Sequence, residues 1–261
     1  MGQVELKQLV NELKKLKKSG VVGIKQSFED EGVLVDDVVK MKRICGSLGV
    51  FINVKIGGCE AISDINNCLL LGVDGIVSPM IESEFALQKF IEAIITNIDV
   101  NRRKDIKFYI NVESKTSYEN LDKILSSPPS KLLTGIVVGR SDLIKSFGYG
   151  EQDITSLEMC NVVTDILKKS KYYGFRTLLG GNIGNSSSDF IKQLYRDKLL
   201  NNIETRNVII ELDKVDIDNL GKLIKESLFF ESNWLNYKAN YYNKIGKEYF
   251  ERSKAILDRI Q

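Results

Sequence analysis

Glu113 closes the run FYINVES (108–114), and Asp142 follows the apolar strand-like stretch in GIVVGRSDLIKSFG (135–148). Each puts a carboxylate just beyond residues fit for the inside of a sheet, where an unpaired charge is expensive. They are 142 − 113 = 29 residues apart, the length of one strand–helix unit. Ends of neighbouring strands lie roughly 5 Å apart, and two carboxylates so close repel unless a cation lies between them. Mg²⁺ or Mn²⁺ suits such a pair, because these hard ions are satisfied by one or two carboxylates with water and substrate oxygens. Taken singly, each residue has an ordinary alternative: Glu113 as a cap for the following helix and Asp142 as the N-cap of DLIKSF. The chain has no histidine, so proton transfer and metal binding fall to Asp, Glu, Lys, Tyr, Cys or water.

Lys55 ends VFINVK and precedes Ile-Gly-Gly-Cys-Glu (56–60). Gly57 and Gly58 allow backbone to approach a ligand closely, and the lysine offers a positive charge to a carboxylate or enolate oxygen. A Schiff-base lysine and a structural salt bridge are the other readings of Lys55. FEDEG (28–32) sets Glu29, Asp30 and Glu31 after the first apolar run. One of them is a candidate general base beside a cation such as Lys25; a solvated acidic turn is the alternative. In VSPMIESEF (77–85), Ser83 or Glu82 is placed to cap a helix. LLGGNIGNSSSD (178–189), with Gly181 and Asn182, has the composition of an anion-binding loop feeding a helix at Ser187–Asp189, without a fixed phosphate fingerprint. Arg140 is expected to orient a carboxylate or the shell of the metal, or to neutralise a nearby carboxylate.

The elements that must position these groups alternate. Strands are expected at 21–25, 50–56, 74–79, 106–113, 134–139, 175–181 and 207–213. Helical periods fall at 35–47, 60–71, 83–97, 117–126, 155–172 and 187–200. Runs apolar at consecutive positions are covered on both faces, as in a parallel sheet. Alternation without a Pro/Gly/Ser-rich linker points to one α/β domain over 1–261. Nearly every run carries its polar cluster at its C-terminal end, the habit of a barrel's catalytic face. The expected fold is therefore a TIM-type (β/α)8 barrel with one strand irregular or missing, since seven runs are visible and eight are needed. A doubly wound open sheet would also accept seven. A C-terminal helical extension, 215–261, is expected as two segments, 215–228 and 233–260. The second holds Trp234, Tyr237, Tyr241, Tyr242, Tyr249 and Phe250, which must pack on the barrel or on another subunit.

Thirty-seven basic against thirty-five acidic residues give a net charge of +2, which argues against nucleic acid or an anionic membrane as partner. No run reaches the ~18–20 consecutive apolar residues of a membrane span, and the first residues lack the apolar core of a secretory signal. Cys45, Cys59, Cys68 and Cys160 show no metal-ligand spacing and read as reduced thiols of a cytoplasmic protein.

Three ordered segments carry a family resemblance. GVDGIVSPMIES (72–83), FYINVES (108–114) and GIVVGRSDLIKSFG (135–148) resemble the corresponding segments of the HpcH/HpaI-type aldolase/citrate lyase family, within the phosphoenolpyruvate/pyruvate superfamily. The likeness spans roughly residues 20–215. It implies a metal-dependent barrel in which Glu113 and Asp142 bind Mg²⁺ or Mn²⁺, and the ion holds a pyruvate-like keto acid and stabilises its enolate. Lys55 falls where the family usually has an arginine that assists the keto oxygen, and arginine and lysine are not interchangeable there. Pro79, Met80 and the glycine loop with Gly181 and Asn182 would help hold the carboxylate. The family's aldolases use a histidine after an early strand; this chain has FEDEG there, and a metal-bound water with Glu29 or Glu31 is the proposed replacement. The family commonly forms trimers or hexamers, which implies a homo-oligomer. The resulting expectation is a carbon–carbon lyase or aldolase acting on a small keto acid with an aldehyde or acyl partner. A citrate-lyase-like CoA-thioester lyase or condensing enzyme, and an inert barrel serving as a binding subunit, are the alternatives.

Overall fold

In the computed structural model, which describes residues 5–29 and 33–260, eight strands close into one barrel in sequence order. Helix α1 (Leu6–Lys18) leads into β1 (Val21–Ser27), and α2 (Val35–Leu48) into β2 (Phe51–Lys55). Then follow α3 (Ile62–Leu71), β3 (Gly75–Ser78), α4 (Glu84–Asn97), the short α5 (Val100–Arg103) and β4 (Lys107–Val112). Beyond β4 lie α6 (Lys115–Glu119), α7 (Leu121–Ser126), β5 (Gly135–Gly139), α8 (Arg140–Ser146), α9 (Leu157–Tyr172) and β6 (Arg176–Gly180). The last elements are α10 (Ser188–Arg196), β7 (Asn202–Glu204), β8 (Val208–Glu211) and α11 (Leu220–Leu257). This is the TIM-type barrel expected from the alternation, and the strand not seen in the sequence is the three-residue β7. Strands β1 to β7 pair in parallel, whereas β8 runs antiparallel to both β7 and β1. A three-residue turn, Thr205-Arg206-Asn207, replaces the crossover helix, so β7 and β8 form a hairpin at the C-terminal end of the barrel.

The strand alternation sorts side chains into two layers. Ile24, Ile52, Val54, Ile76, Phe108, Ile110, Val112, Ile136, Val138, Leu179, Ile203, Val208 and Ile210 point outward and are buried against the helices. The inward positions are mostly polar. Among them Val77, Tyr109, Val137 and Leu178 form a buried floor separate from the main core. The barrel interior is thus a thin apolar plug with polar space at each end.

The two expected C-terminal helices are one. Glu231 and Asn233 look like a break in sequence, yet both are buried in the middle of α11. Asn233 donates to Glu12 of α1 at 2.9 Å. Glu231 accepts from the backbone N–H of Asn207 (2.7 Å) and Val208 (2.9 Å) and from the Thr205 hydroxyl. Tertiary partners satisfy the polar groups that would otherwise end the helix. At 38 residues, α11 is about 57 Å long. Its aromatics divide: Trp234 is buried and stacks on Tyr237 at 5.6 Å, whereas Tyr249 and Phe250 are exposed. Among the described residues, no helix is long and apolar enough to cross a membrane.

Candidate active site

At the C-terminal end of the barrel lies a cavity of about 320 Å³ lined by strand ends and by the β7–β8 hairpin. Register explains what reaches it. Val112 of β4 pairs with Val138 of β5, so Glu113 stands beside Gly139. Asp142 is three residues further on, in the first turn of α8. The two carboxylates are therefore not at equivalent strand ends, as their spacing suggested, although both line the one cavity. Gly139 is needed for this arrangement: a Cβ there would lie 2.7 Å from Glu113 Oε2.

Glu113 is buried, 2% exposed, and both of its oxygens are engaged. Oε1 accepts from the Met80 backbone N–H at 3.1 Å, and Oε2 accepts from Asn111 Nδ2 at 2.8 Å. Lys55 Nζ stands 3.5 Å from the same Oε2 and 2.9 Å from Glu29 Oε2. Glu113 does not cap the next helix; Ser114 does, through a reciprocal pair with Ser117. Lys55 is 5% exposed, and its two carboxylate neighbours replace the hydration that an ammonium loses on burial. Asp30 and Glu31 of the acidic turn lie outside the described residues. Lys25, expected beside that turn, instead pairs at 2.6 Å with Glu204 of β7.

Asp142 is about half exposed, and its nearest cation is Lys145 at 3.8 Å, one turn along α8. Asp142 is not an N-cap, because Gly139 occupies that position. Arg140 is buried, and its side chain turns away from the cavity. Nε donates to Gly181 O at 3.1 Å; Nη2 donates to Asn182 O at 3.2 Å and to Ser187 Oγ at 3.0 Å. Burial lowers its pKa to about 10, so it stays cationic at neutral pH. Arg140 thus clamps the β6–α10 loop and is not among the residues that line the cavity. Gly181 (φ +78°) and Asn182 (φ +48°) of that loop do line the cavity. Gly181 packs on α8, where a Cβ would fall 2.6 Å from the Arg140 backbone nitrogen.

Gly57, Gly58, Pro79 and Met80 are not among the cavity's lining residues. The Gly57 N–H donates to Asp64, and the Met80 N–H to Glu113. Ser83 caps α4, and Glu82 accepts from Ser114 Oγ at 2.5 Å. Three contributors escaped sequence reading. Asn111 lies two residues before Glu113 and shares its inward face, a signal available in FYINVE. Glu204 and the turn residue Arg206 belong to a strand and hairpin too short to recognise.

Among the described residues, no three His, Cys, Asp or Glu side chains converge as a metal cage. The cavity's donor set is Glu113, Asp142 and the amide oxygen of Asn111, which is buried without a hydrogen-bond partner. These are hard oxygen donors of the number that Mg²⁺ or Mn²⁺ takes when it keeps waters and substrate oxygens.

The sequence profile described as HpcH/HpaI aldolase/citrate lyase matches residues 34–180. No curated protein sequence matches the chain. Among solved structures, the citrate synthase SbnG is 13% identical with a TM-score of 0.57, over 86% of this chain and 98% of that one. An HpcH/HpaI aldolase/citrate lyase family protein from Burkholderia cenocepacia J2315 is 14% identical, with a TM-score of 0.58 over 84% and 98%. A citrate lyase from Burkholderia xenovorans LB400 is 13% identical, with a TM-score of 0.60 over 85% and 75%. At such identities the likeness shows the fold.

Proposed function

The chain belongs to the HpcH/HpaI aldolase/citrate lyase family, and from that premise we propose a divalent-metal-dependent carbon–carbon lyase or aldolase acting through the enolate of a pyruvate-like keto acid. The observation that carries this reading is the buried Glu113, which shares one cavity with Asp142 and stands beside Lys55. Glu113, Asp142 and the Asn111 amide oxygen are the residues that would hold Mg²⁺ or Mn²⁺. Such an ion, when bound, draws electron density from a keto oxygen and acidifies the neighbouring carbon.

The chain's own residues do the rest. Lys55, fixed between Glu29 and Glu113, supplies positive charge to the oxygen that becomes negative. Its engagement by two carboxylates supports this electrostatic role over a Schiff base, which needs a free neutral amine. Glu29, partly exposed and 2.9 Å from Lys55, is placed to take and return the proton. The loop with Gly181 and Asn182, held by Arg140, closes one wall and positions the substrate carboxylate.

In this reading the chain is one domain of a cytoplasmic homo-oligomer. Its four free cysteines support a reducing compartment, and the exposed Tyr249, Phe250 and Ile260 of the C-terminal segment support assembly. The substrate pair is a keto acid with an aldehyde or acyl partner.

The test is enolisation. With pyruvate and Mg²⁺ or Mn²⁺ in D₂O, the methyl-proton signal should fade in the presence of the enzyme and persist with Glu113→Gln. No exchange with any of several metals and keto acids would sink the lyase reading. A barrel that also fails to bind Mn²⁺ by titration would be the inert binding subunit instead, a reading favoured by the missing histidine.

A further inference from the structure

The opposite end of the barrel holds a second cavity, of about 450 Å³, which the lyase chemistry does not use. Its charged lining is one-sided: Lys17, Lys107, Arg176 and Lys214 against the single carboxylate of Glu211. Glu211 is already paired with Arg176 at 2.6 Å and Lys214 at 2.7 Å. Lys107 has no ion pair among the described residues; its ammonium stands 6.0 Å from the centre of the Phe51 ring. The interior of the cavity is polar as well. Tyr109 and Asn53 are buried, 4% and 2% exposed, and line it without a hydrogen-bond partner among the described residues. Burial raises the Tyr109 phenol to about 12, Arg176 opposing the rise and Glu204 adding to it, so the hydroxyl remains a donor throughout the physiological range. Buried polar groups without protein partners ask for a ligand or ordered water, and a surplus of cations selects negative charge.

We propose that the N-terminal end of the barrel is a binding site for a small oxyanion, a phosphate- or carboxylate-bearing molecule. Its anionic group lies between Lys107 and Arg176, and Tyr109 Oη and the Asn53 amide donate to it from inside. Lys17 and Lys214 stand at the rim, where they hold a second charge. Only the floor of Val77, Tyr109, Val137 and Leu178 separates this site from the catalytic cavity.

The experiment is calorimetric titration of the full chain with inorganic pyrophosphate and, separately, with succinate. Saturable binding of one equivalent per chain is expected for at least one probe, and which probe binds tells phosphate from carboxylate chemistry. Lys107→Glu, on an exposed strand end, should weaken that binding tenfold or more. Tyr109→Phe, which keeps the ring and removes only the hydroxyl, should weaken it about threefold. Lys55→Met, in the other cavity, should leave it unchanged. Absence of saturable binding by both probes, binding indifferent to Lys107→Glu and Tyr109→Phe, or binding lost with Lys55→Met would overturn the assignment.

Discussion

Cations stand at both ends of this barrel, in different company. At the C-terminal end Lys25 faces Glu204 at 2.6 Å and Lys55 faces Glu29 at 2.9 Å, with Glu113 close by. At the N-terminal end four cationic side chains line a cavity whose single carboxylate, Glu211, pairs with only two of them, Arg176 and Lys214. Matched charges hold one another in place before a ligand arrives. Unmatched charges leave a field that only something from outside can satisfy. The same scaffold thus presents a preorganised end suited to chemistry and an unsatisfied end suited to binding.

Breaking the matched end should have the largest effect. Glu113→Gln removes a charge that Lys55 and the proposed cation both need, and loss of several kcal/mol of transition-state stabilisation is a hundredfold or more in enolisation rate, roughly. Proton-exchange rates measured by NMR check this, and melting curves should show the fold intact. Next comes the plug between the ends. Leu178→Ala opens the floor and should cost about 2–5 kcal/mol, read from denaturant unfolding, unless neighbours collapse into the space. Arg140→Met removes the clamp on the β6–α10 loop, whose hydrogen bonds from a charged donor are worth about 2–3 kcal/mol. For that variant KM should rise more than kcat falls, because Arg140 positions the loop and does not touch the reacting atoms.

The smallest effect sharpens the comparison at the hairpin. Burial pushes the Glu231 carboxyl up, against the pull of the Thr205 hydroxyl and three backbone N–H groups. A group raised in the folded state contributes stability that is full below its ordinary value and lost as pH rises through the raised one. Glu231→Gln removes this component. The wild-type melting temperature minus that of the variant should therefore fall across that window, by on the order of 2 °C.

Much of this was legible from the sequence, for physical reasons that can be named. Seven strands show themselves because their outward residues are buried by helices and must be apolar. Strand β7 does not, because it has three residues and two of them are polar: Asn202 lines the N-terminal cavity and Glu204 is buried against Lys25. Glu113 and Lys55 stand out as charges at the ends of apolar runs, and the structure brings them together. The partnership of Lys25 with Glu204 spans 179 residues and leaves no local trace. The direction of Arg140 depends on where the β6–α10 loop folds, so its position beside Asp142 suggested a contact with substrate where the structure has a clamp on carbonyls. The single helix α11 was hidden because its buried Glu231 and Asn233 are satisfied only by distant parts of the chain.

The reversed last strand has a consequence for where the chain is delivered. Because β8 descends, α11 starts at the N-terminal end of the barrel and climbs, opposite in sense to the helices that link the parallel strands. It passes the rim of the C-terminal cavity where Glu231 grips the hairpin, and Tyr241 lies under Lys40 of α2, 3.6 Å from the ring centre. The remaining turns, as far as Leu257, are largely exposed. Tyr249 and Phe250, exposed on those turns, lie beyond the point where the hairpin is gripped, so a partner that held them would pull on the same helix that fixes Asn207 in the cavity wall.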